Sequence, residues 1–422
     1  MPACTNVMRL GFPASMAESA TATAGAFPHL DSGWHRRLLD ELCAIERPSA
    51  SPGEREAAEW LAAELRQLGI EARIESEPAH GTFWWPLGIA AAAGLVAGAG
   101  ALRGHRMLGA ALAAAAGAAA LDDLPPLGGR RLRSVLPKGR RTQVLAELCP
   151  ADAERTVVLS AHHDAAHCGL IFNPEIPEAV ERRFPGLISE GPDTSPPVIG
   201  GPVAAIPAAI ALGSATGKRR LTQAGMIAAL GGLAVLADIG RRGVSPGAND
   251  NGTGVVALLA IARALVERPP ESLRVLLLST SEEATCDGMQ AWFRRSAPSL
   301  PRESTFFICL DILGSPHLVV LRGEGMVRIR DYPGRSLALL DELAEELGIP
   351  LFPNLRLMNA TDGVIPLAHG YQCASLCSCT DLKQAANYHW PSDTPDNVDY
   401  GTLADAIRLT EAVVRSLDER WL

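Results

Sequence analysis

The feature that most constrains the fold is a set of four uncharged apolar segments, which form two pairs inside an otherwise charged chain. The first pair covers residues 83–102 and 107–121, joined by "RGHR"; the second covers residues 194–217 and 221–237, joined by "KRR". About twenty helical residues span the hydrocarbon core of a bilayer, whereas about fifteen do so only marginally. The pairs therefore predict two membrane hairpins, over residues 83–121 and 194–240. The alternative is that these Ala-rich helices pack on the protein's own core or lie at a membrane surface.

The orientation of these hairpins can be predicted from their flanking charges. A hairpin returns the chain to the side that it left, so the segments around it can fold into one domain. Basic residues stand at both hairpin tips, but more of them stand on the opposite side: Arg130, Arg131, Arg133, Lys138, Arg140, Arg141, Arg241 and Arg242. The positive-inside rule therefore favours a cytoplasmic location for the folded domain. Residues 1–33 lack the continuous apolar core of a signal peptide, and we expect them to form a flexible tail.

The overall composition excludes one class of partner and indicates a compartment. A net charge of −9 leaves no basic surplus, which argues against nucleic-acid binding. The mean hydropathy of +0.11 is high for a soluble protein and agrees with a membrane element. The nine cysteines are odd in number and dispersed, which favours a reducing compartment. We interpret Cys373, Cys377 and Cys379 as core thiols on a strand rather than as metal ligands.

Outside the apolar pairs, short apolar runs that read as strands alternate with amphipathic helices. The pattern is clearest from residue 241 to the end, and it also covers residues 34–82 and 126–193. Such alternation predicts an α/β fold in which helices flank a mostly parallel central sheet, interrupted by the two apolar hairpins. Ligands of these sheets bind at the carboxyl ends of the strands.

Five polar clusters stand at predicted strand or helix ends. They are "SAHHDAA" with His162 and Asp164, "GANDNGTG" with Asp250, "STSEEATCDG" with Glu282 and Glu283, "CLDILGSPH" with Asp311, and "NYHWPSDTPDNVD" with Tyr388 and His389. Each cluster alone has an ordinary structural explanation, such as a hydrogen-bonded histidine or a helix N-cap. Together they supply imidazoles and carboxylates in the mixture that suits zinc.

In this order, the clusters resemble those of the two-zinc aminopeptidase family, which includes bacterial leucyl aminopeptidases and aminopeptidase Y. Glutamate carboxypeptidase II, the transferrin receptor and the glutaminyl cyclases are relatives of that family. The matching motifs are "HHD", "GANDNGTG", "EE", "DILGSP" and "YHWPSDTPDNVD". The resemblance implies a three-layer, phosphorylase/hydrolase-like fold and a metallo-aminopeptidase that acts on a peptide or an amino-acid conjugate.

The resemblance also implies the roles of the site residues. His162 and Glu283 would hold one zinc ion, Asp311 and His389 would hold the other, and Asp250 would bridge the two; another divalent metal could replace zinc. Asp164 would not bind the metal itself but would orient the ring of His162 through a hydrogen bond. Glu282 would act as the general base towards the water at the metal, and Tyr388 would donate a hydrogen bond to the tetrahedral oxyanion.

Three departures from the family pattern leave the substrate open. His163 stands where the family often has Tyr, and the family's Gly-Leu-x-Gly-Ser after the glutamates is only partly kept in "EEATCDGMQAW". The segment between His167 and Val244 replaces a connection of about a dozen residues in compact members. The alternatives are a one-zinc, glutaminyl-cyclase-like acyltransferase, an inactive receptor-like member of the same fold, and a small polytopic transporter or membrane scaffold.

Overall fold

The main sheet of the protein has seven strands. The computed structural model describes residues 28–422, except residues 127, 149, 151–152, 197–198 and 282–284. The strands of both sheets are, in chain order, β1 (Ala72–Ala79), β2 (Gly139–Leu148), β3 (Arg155–His162), β4 (Leu273–Thr280), β5 (Thr305–Leu310), β6 (His317–Val320), β7 (Gly323–Glu324), β8 (Arg330–Asp331), β9 (Arg356–Leu357) and β10 (Gln372–Cys379). The main sheet has the order β1-β2-β4-β3-β5-β10-β6, and a small sheet has the order β8-β7-β9. The four central strands β4, β3, β5 and β10 are parallel, and the pairs at both edges are antiparallel.

The helices fall into two groups, one packed on the sheet and one apart from it. They are α1 (Ser32–Cys43), α2 (Pro52–Gln67), α3 (Trp84–Leu102), α4 (Arg106–Leu121), α5 (Arg131–Ser134), α6 (Glu175–Arg183), α7 (Gly200–Thr216), α8 (Arg219–Ile239), α9 (Thr253–Glu267), α10 (Asp287–Ser296), α11 (Gly334–Leu347), α12 (Val364–Ala368) and α13 (Tyr400–Glu419). Local signals explain several boundaries. The Ser51 hydroxyl accepts a hydrogen bond from the backbone N–H of Glu54 and so caps α2. Gly69, at a φ of 82°, follows the end of the same helix, where a left-handed residue is needed.

Both faces of the central sheet are covered by apolar side chains. On β3, Val157 and Leu159 pack with α1, α2, α9, α11 and α13 on one face. Val158 between them points to the other face and packs with α10, α12 and the aromatic residues near them. This alternation is the period of two expected for a strand buried on both sides. The result is a three-layer arrangement whose core lies on both faces of the sheet.

The four apolar helices α3, α4, α7 and α8 form a bundle with its own small cores. Small residues allow the helices to approach closely: a Cβ atom on Gly109 would lie 2.6 Å from the carbonyl oxygen of Ala97. The outside of the bundle is apolar, and Val96 and Ile227 are each about 70% exposed (71% and 70%). Two of the helices, α3 and α8, are long and apolar enough to cross a membrane, and α4 and α7 are shorter.

The α/β fold with two apolar helical hairpins agrees with the sequence prediction. The sheet is mixed at its edges, although the four strands that carry the site are parallel. Regular structure is already present before residue 34, because residues Pro28–Leu30 form a 3-10 turn and His29 Nε2 lies 3.1 Å from Glu411 Oε2. Residues 1–27 of the predicted tail lie outside the described residues.

Candidate metal centre

One side of the site is formed by the turn Ala248–Gly252, which leads into α9 and carries Asp250. The side chains of Asn249 and Asn251 hold it against the segment that follows β5. Asn251 donates from Nδ2 to the carbonyl of Leu310 at 2.9 Å and accepts from the N–H of Ile312 at 2.9 Å. Asn249 Oδ1 accepts from the N–H of Gly314 at 2.7 Å. The two amides therefore fix Asp250, which lies between them, relative to Asp311.

A third carboxylate supports this turn from the other side. Asp393 accepts hydrogen bonds from the N–H groups of Asn249 and Asp250, at 2.7 and 3.1 Å. Its own carbonyl accepts from the N–H of Ala248 at 3.1 Å. Burial, together with the nearby Asp250 carboxylate, raises the pKa of Asp393 to about 7. Asp393 thus positions the loop through its backbone and leaves the Asp250 side chain directed into the site.

Two histidines approach Asp250 from opposite sides. His162 Nε2 lies 3.4 Å from Asp250 Oδ1 and 3.5 Å from Asp311 Oδ1. His389 Nε2 lies 3.1 Å from the other oxygen of Asp250, Oδ2. Ligand atoms of His162, Asp250 and Asp311 all lie within 4.8 Å of one another. Each oxygen of Asp250 therefore faces one imidazole, which is the arrangement expected of a carboxylate that bridges two cations.

The cluster contains buried carboxylate oxygens that lack a well-formed hydrogen bond within the described part of the chain and that a cation would neutralise. Asp250 Oδ2 and Asp311 Oδ1 are buried and accept no well-formed hydrogen bond from any described residue. Burial raises the pKa of Asp311. Burial would also raise the pKa of Asp250, but the two histidines outweigh it and hold that pKa below its usual range. Buried carboxylates need a paired charge or a metal, and imidazole and carboxylate donors together suit zinc.

The sequence analysis assigned Asp311 and His389 to one zinc ion and His162 to the other. The structure shows one proximity that this assignment did not include, because Asp311 lies 3.5 Å from His162. The reason is the register of the sheet: Ser160 of β3 is paired with Cys309 of β5, so the chain positions two residues later, His162 and Asp311, emerge side by side. His389 comes from the loop after β10 and reaches Asp250 from the far side. Glu282 and Glu283, expected as base and ligand, lie outside the described residues; they follow Thr280, the β4 residue paired with His162.

Asp164 lies against His162, and Tyr388 lies against His389. His162 Nδ1 is 3.3 Å from Asp164 Oδ1, and Ser49 donates to the other oxygen of the same carboxylate. Burial would lower the pKa of His162, but Asp164, Asp250 and Asp311 outweigh it and raise it. The Tyr388 ring stacks on His389 with 3.8 Å between centroids, and its hydroxyl accepts from Asn359 Nδ2 at 3.1 Å.

Two further residues support the site, and the sequence analysis missed them. Arg47 is fully buried and donates to the carbonyls of His163, Pro246 and Gly247, at 2.7, 2.8 and 2.8 Å. It thereby ties the segment after β3 to the loop of Asp250. Asp362 accepts from the Thr280 hydroxyl, and burial raises its pKa to about 7. Neither residue stands in a motif, and only their meeting in the folded chain reveals them.

The cluster opens into a cavity of about 130 Å³. The residues that line it include the polar His162, Asp250, Asp311 and Tyr388 and apolar residues such as Leu357 and Met358. A substrate could place its reacting group at the carboxylates and an apolar group against the apolar part of the lining.

Comparison with known proteins agrees with these observations. Residues 233–414 match Peptidase family M28. Three solved structures share the fold. A Zn-dependent exopeptidase from Parabacteroides distasonis is 14% identical, with 92% of this chain and 98% of that chain covered and a TM-score of 0.52. A leucine aminopeptidase precursor from Bacteroides thetaiotaomicron is 15% identical, with 92% and 97% covered and a TM-score of 0.53.

The third structure is a glutaminyl cyclase from Bacteroides thetaiotaomicron bound to N-acetylhistamine. It is 15% identical, with 92% of this chain and 99% of that chain covered and a TM-score of 0.54. No curated protein matches the sequence. The family match covers Asp250, Asp311 and His389, and these three residues meet His162 in one buried cluster. Residues 233–414 therefore match Peptidase family M28, in a chain that shares its fold with a zinc-dependent exopeptidase, an aminopeptidase precursor and a glutaminyl cyclase.

Proposed function

We propose that the protein is a zinc-dependent aminopeptidase that hydrolyses N-terminal peptide bonds and is attached to a membrane by its apolar hairpins. The observation that supports the chemistry best is Asp250, whose two oxygens face His162 and His389 from opposite sides. Asp250 would bridge two zinc ions; His162 and Asp311 would complete one ligand set, and His389 and Glu283 the other. When bound, zinc polarises a carbonyl group and lowers the pKa of water.

The chain's own groups would then perform the proton transfers. Glu282 would take a proton from the attacking water and deliver it to the nitrogen of the leaving amine. Tyr388, stacked on His389 and lining the cavity, would donate a hydrogen bond from its hydroxyl to the oxyanion of the tetrahedral intermediate. Asp164 would hold the His162 ring in the orientation that points Nε2 at the two ligand carboxylates.

The second candidate is a one-zinc, glutaminyl-cyclase-like acyltransferase. It is supported by the compactness of the His162, Asp250 and Asp311 group, which alone could hold one ion. The two candidates differ in metal content and in the fate of the substrate. Elemental analysis of the purified, zinc-loaded protein should give about two zinc equivalents for the bridged site, together with hydrolysis of leucine p-nitroanilide. One equivalent with cyclisation of a glutaminyl peptide would favour the acyltransferase, and no zinc at all would exclude both.

The proposed membrane attachment rests on the exposed apolar surface of the bundle and on the lengths of α3 and α8. The two hairpin tips lie at one end of the bundle, because Arg219 donates to the carbonyl of Leu102 at 3.1 Å and Arg106 to that of Ala215 at 3.1 Å. The positive-inside rule places the α/β domain in the cytoplasm and both tips across the membrane. Carbonate extraction tests the attachment. The orientation can be tested in intact cells by labelling single cysteines that are introduced at the hairpin tips.

A further inference from the structure

The apolar bundle contains a second cavity that meets the cavity of the metal centre. It has a volume of about 320 Å³, within the range of small-molecule sites of about 300–1,000 Å³. Residues from all four helices line it, among them Leu87 of α3, Ala116 of α4, Ile206 of α7 and Leu236 of α8. None of its lining residues has a polar side chain. An apolar cavity of this kind does not attract water and accepts apolar ligands.

The two cavities share a wall. Phe172 and Ile199 line both of them. The Phe172 ring lies edge-on to His389, with 4.6 Å between centroids, and edge-on to Tyr388 at 5.5 Å. A molecule that extends from the carboxylate cluster past Phe172 would therefore pass from a polar environment into an entirely apolar one.

The segment that carries this wall is attached to the α/β domain at several points. Ser195 donates its N–H to the carbonyl of Arg356 at 3.0 Å, and its hydroxyl accepts from the N–H of Met358 at 2.8 Å. The buried Lys383 donates to the carbonyl of Gly191 at 2.7 Å. At the other end, the N–H of Leu170 donates to Asp238 of α8 at 2.7 Å. These contacts hold the bundle cavity in register with the metal centre.

From this shared wall we infer that the substrate is an amide that carries a long unbranched aliphatic chain, which passes Phe172 and lies in the bundle cavity while the amide lies at the metal centre. The inference rests on the proposed function, since it names the substrate class of the same site. An aliphatic chain is the chemistry that fits, because the bundle cavity offers no hydrogen-bond donor or acceptor from a lining side chain. The four apolar helices thus serve as a binding compartment as well as an anchor.

The test is a chain-length series of leucine alkylamides, from ethylamide through octylamide to dodecylamide. Each methylene that enters the cavity should raise kcat/KM by about fourfold, until the cavity is filled. In a second arm, the ethylamide of 2-aminododecanoic acid carries the tail on the acyl half instead and is compared with leucine ethylamide. The two arms together show which half of the substrate enters the bundle. Lipid nanodiscs are required, because alkyl detergents would compete for the cavity. A gain in either arm supports the inference, and a flat series in both arms overturns it.

Two neighbouring glycines of α8 provide a matched pair of variants. A Cβ atom on Gly231 or on Gly232 would meet nothing within 4 Å, so both positions accept the start of a side chain, but of the two only Gly232 lines the cavity. Gly232→Leu should abolish most of the chain-length gain, measured as the ratio of kcat/KM for leucine dodecylamide to that for leucine ethylamide within the same variant. Gly231→Leu should keep the wild-type ratio. If both variants lost the gain equally, or if neither lost it, the bundle cavity would not be the binding site of the tail.

A binding measurement separates failure of this inference from failure of the proposed function. Leucine dodecylamide should bind the metal-free protein, and Gly232→Leu should weaken that binding relative to Gly231→Leu in nanodiscs of equal lipid content. If zinc-loaded protein does not hydrolyse leucine ethylamide but this difference persists, the proposed function fails and the tail site stands. If short amides are hydrolysed and the difference is absent, the tail site fails alone.

Discussion

Asn251 bonds to the two backbone groups that flank Asp311: the carbonyl of Leu310 before it and the N–H of Ile312 after it. One amide thereby sets the distance between two carboxylates that stand far apart in the sequence. The Asn251→Ala substitution should lower zinc affinity by about 10- to 100-fold, as loss of groups that orient metal ligands does.

Zinc affinity of this variant can be measured by competition with a chromogenic chelator. Gln67→Ala is the matched control, because it removes an amide that bonds only to Glu64 on a helix away from the site. An unchanged zinc affinity in Asn251→Ala would show that the loop holds its shape without this side chain.

Glu282 and Asp250 should respond differently to removal of their charge. Glu282→Gln should keep its zinc and lose about 10²- to 10⁴-fold in kcat, the usual contribution of a general base. Asp250→Ala should lose zinc as well as turnover, because it removes the carboxylate that faces both histidines. Parallel zinc analysis and kinetics with leucine p-nitroanilide distinguish the two outcomes. The exposed Glu271→Gln serves as a control for a change of charge alone, and normal turnover in Glu282→Gln would exclude it as the base.

Arg47 should contribute to stability rather than to chemistry. Arg47→Met keeps much of the buried volume but leaves the carbonyls of His163, Pro246 and Gly247 without their donor. We expect the free energy of unfolding to fall by about 2–4 kcal/mol. Arg55→Met, which breaks an exposed pair with Glu59, should change it by no more than about 1 kcal/mol. Urea denaturation followed by tryptophan fluorescence measures both, and equal effects would refute the structural role of Arg47.

Glu324 should make the stability of the protein depend on pH. It is fully buried, and burial raises its pKa from 4.5 to about 8. Between these values the folded state keeps a proton that the unfolded state releases, so the contribution to stability is complete below about pH 4.5 and is lost as pH rises towards 8. The slope has an upper limit of about 1.4 kcal/mol per pH unit.

The Glu324→Gln substitution tests this dependence, because glutamine is neutral at every pH and can still accept from the N–H of Thr361, which donates to Glu324 at 2.6 Å. The variant should lose stability less steeply than the wild type as pH rises from 4.5 to 8, while the buried Asp362 and Asp393, whose pKa values are also raised, keep contributing to the remaining slope. Thermal unfolding of both proteins across the pH range gives the comparison, and an equal pH dependence in the two proteins would show that burial does not keep Glu324 protonated.

The periodic parts of the chain were predictable from the sequence. The apolar pairs appear as α3 with α4 and α7 with α8, and the strand that ends in His162 is β3, as the run "RTVVLSAHH" indicates. These signals are local: an apolar face repeats every two or about 3.6 residues whatever the rest of the chain does.

The parts that the sequence could not reveal depend on contacts between distant segments. The proximity of Asp311 to His162 follows from the register between β3 and β5, which no local pattern encodes. The strands of the small sheet have only two residues each, too few to show a period. Arg47 and Glu324 stand in no motif, and a buried charge differs from an exposed one only through the neighbours that surround it.

The β-bridge between His167 and Val244 brings both ends of the second hairpin segment to one point of the α/β domain. Flanking hydrogen bonds continue it, from Cys168 to Gly243 at 2.9 Å and from Ser245 to Ala166 at 2.8 Å. The segment between His167 and Val244 is therefore a closed loop on the α/β domain. The entropic cost of closing such a loop grows only logarithmically with its length. A segment joined in this way can be exchanged as a cassette: replacing it by a short turn, or by a bundle of another lining, would alter what reaches the metal centre and leave the register of the sheet intact.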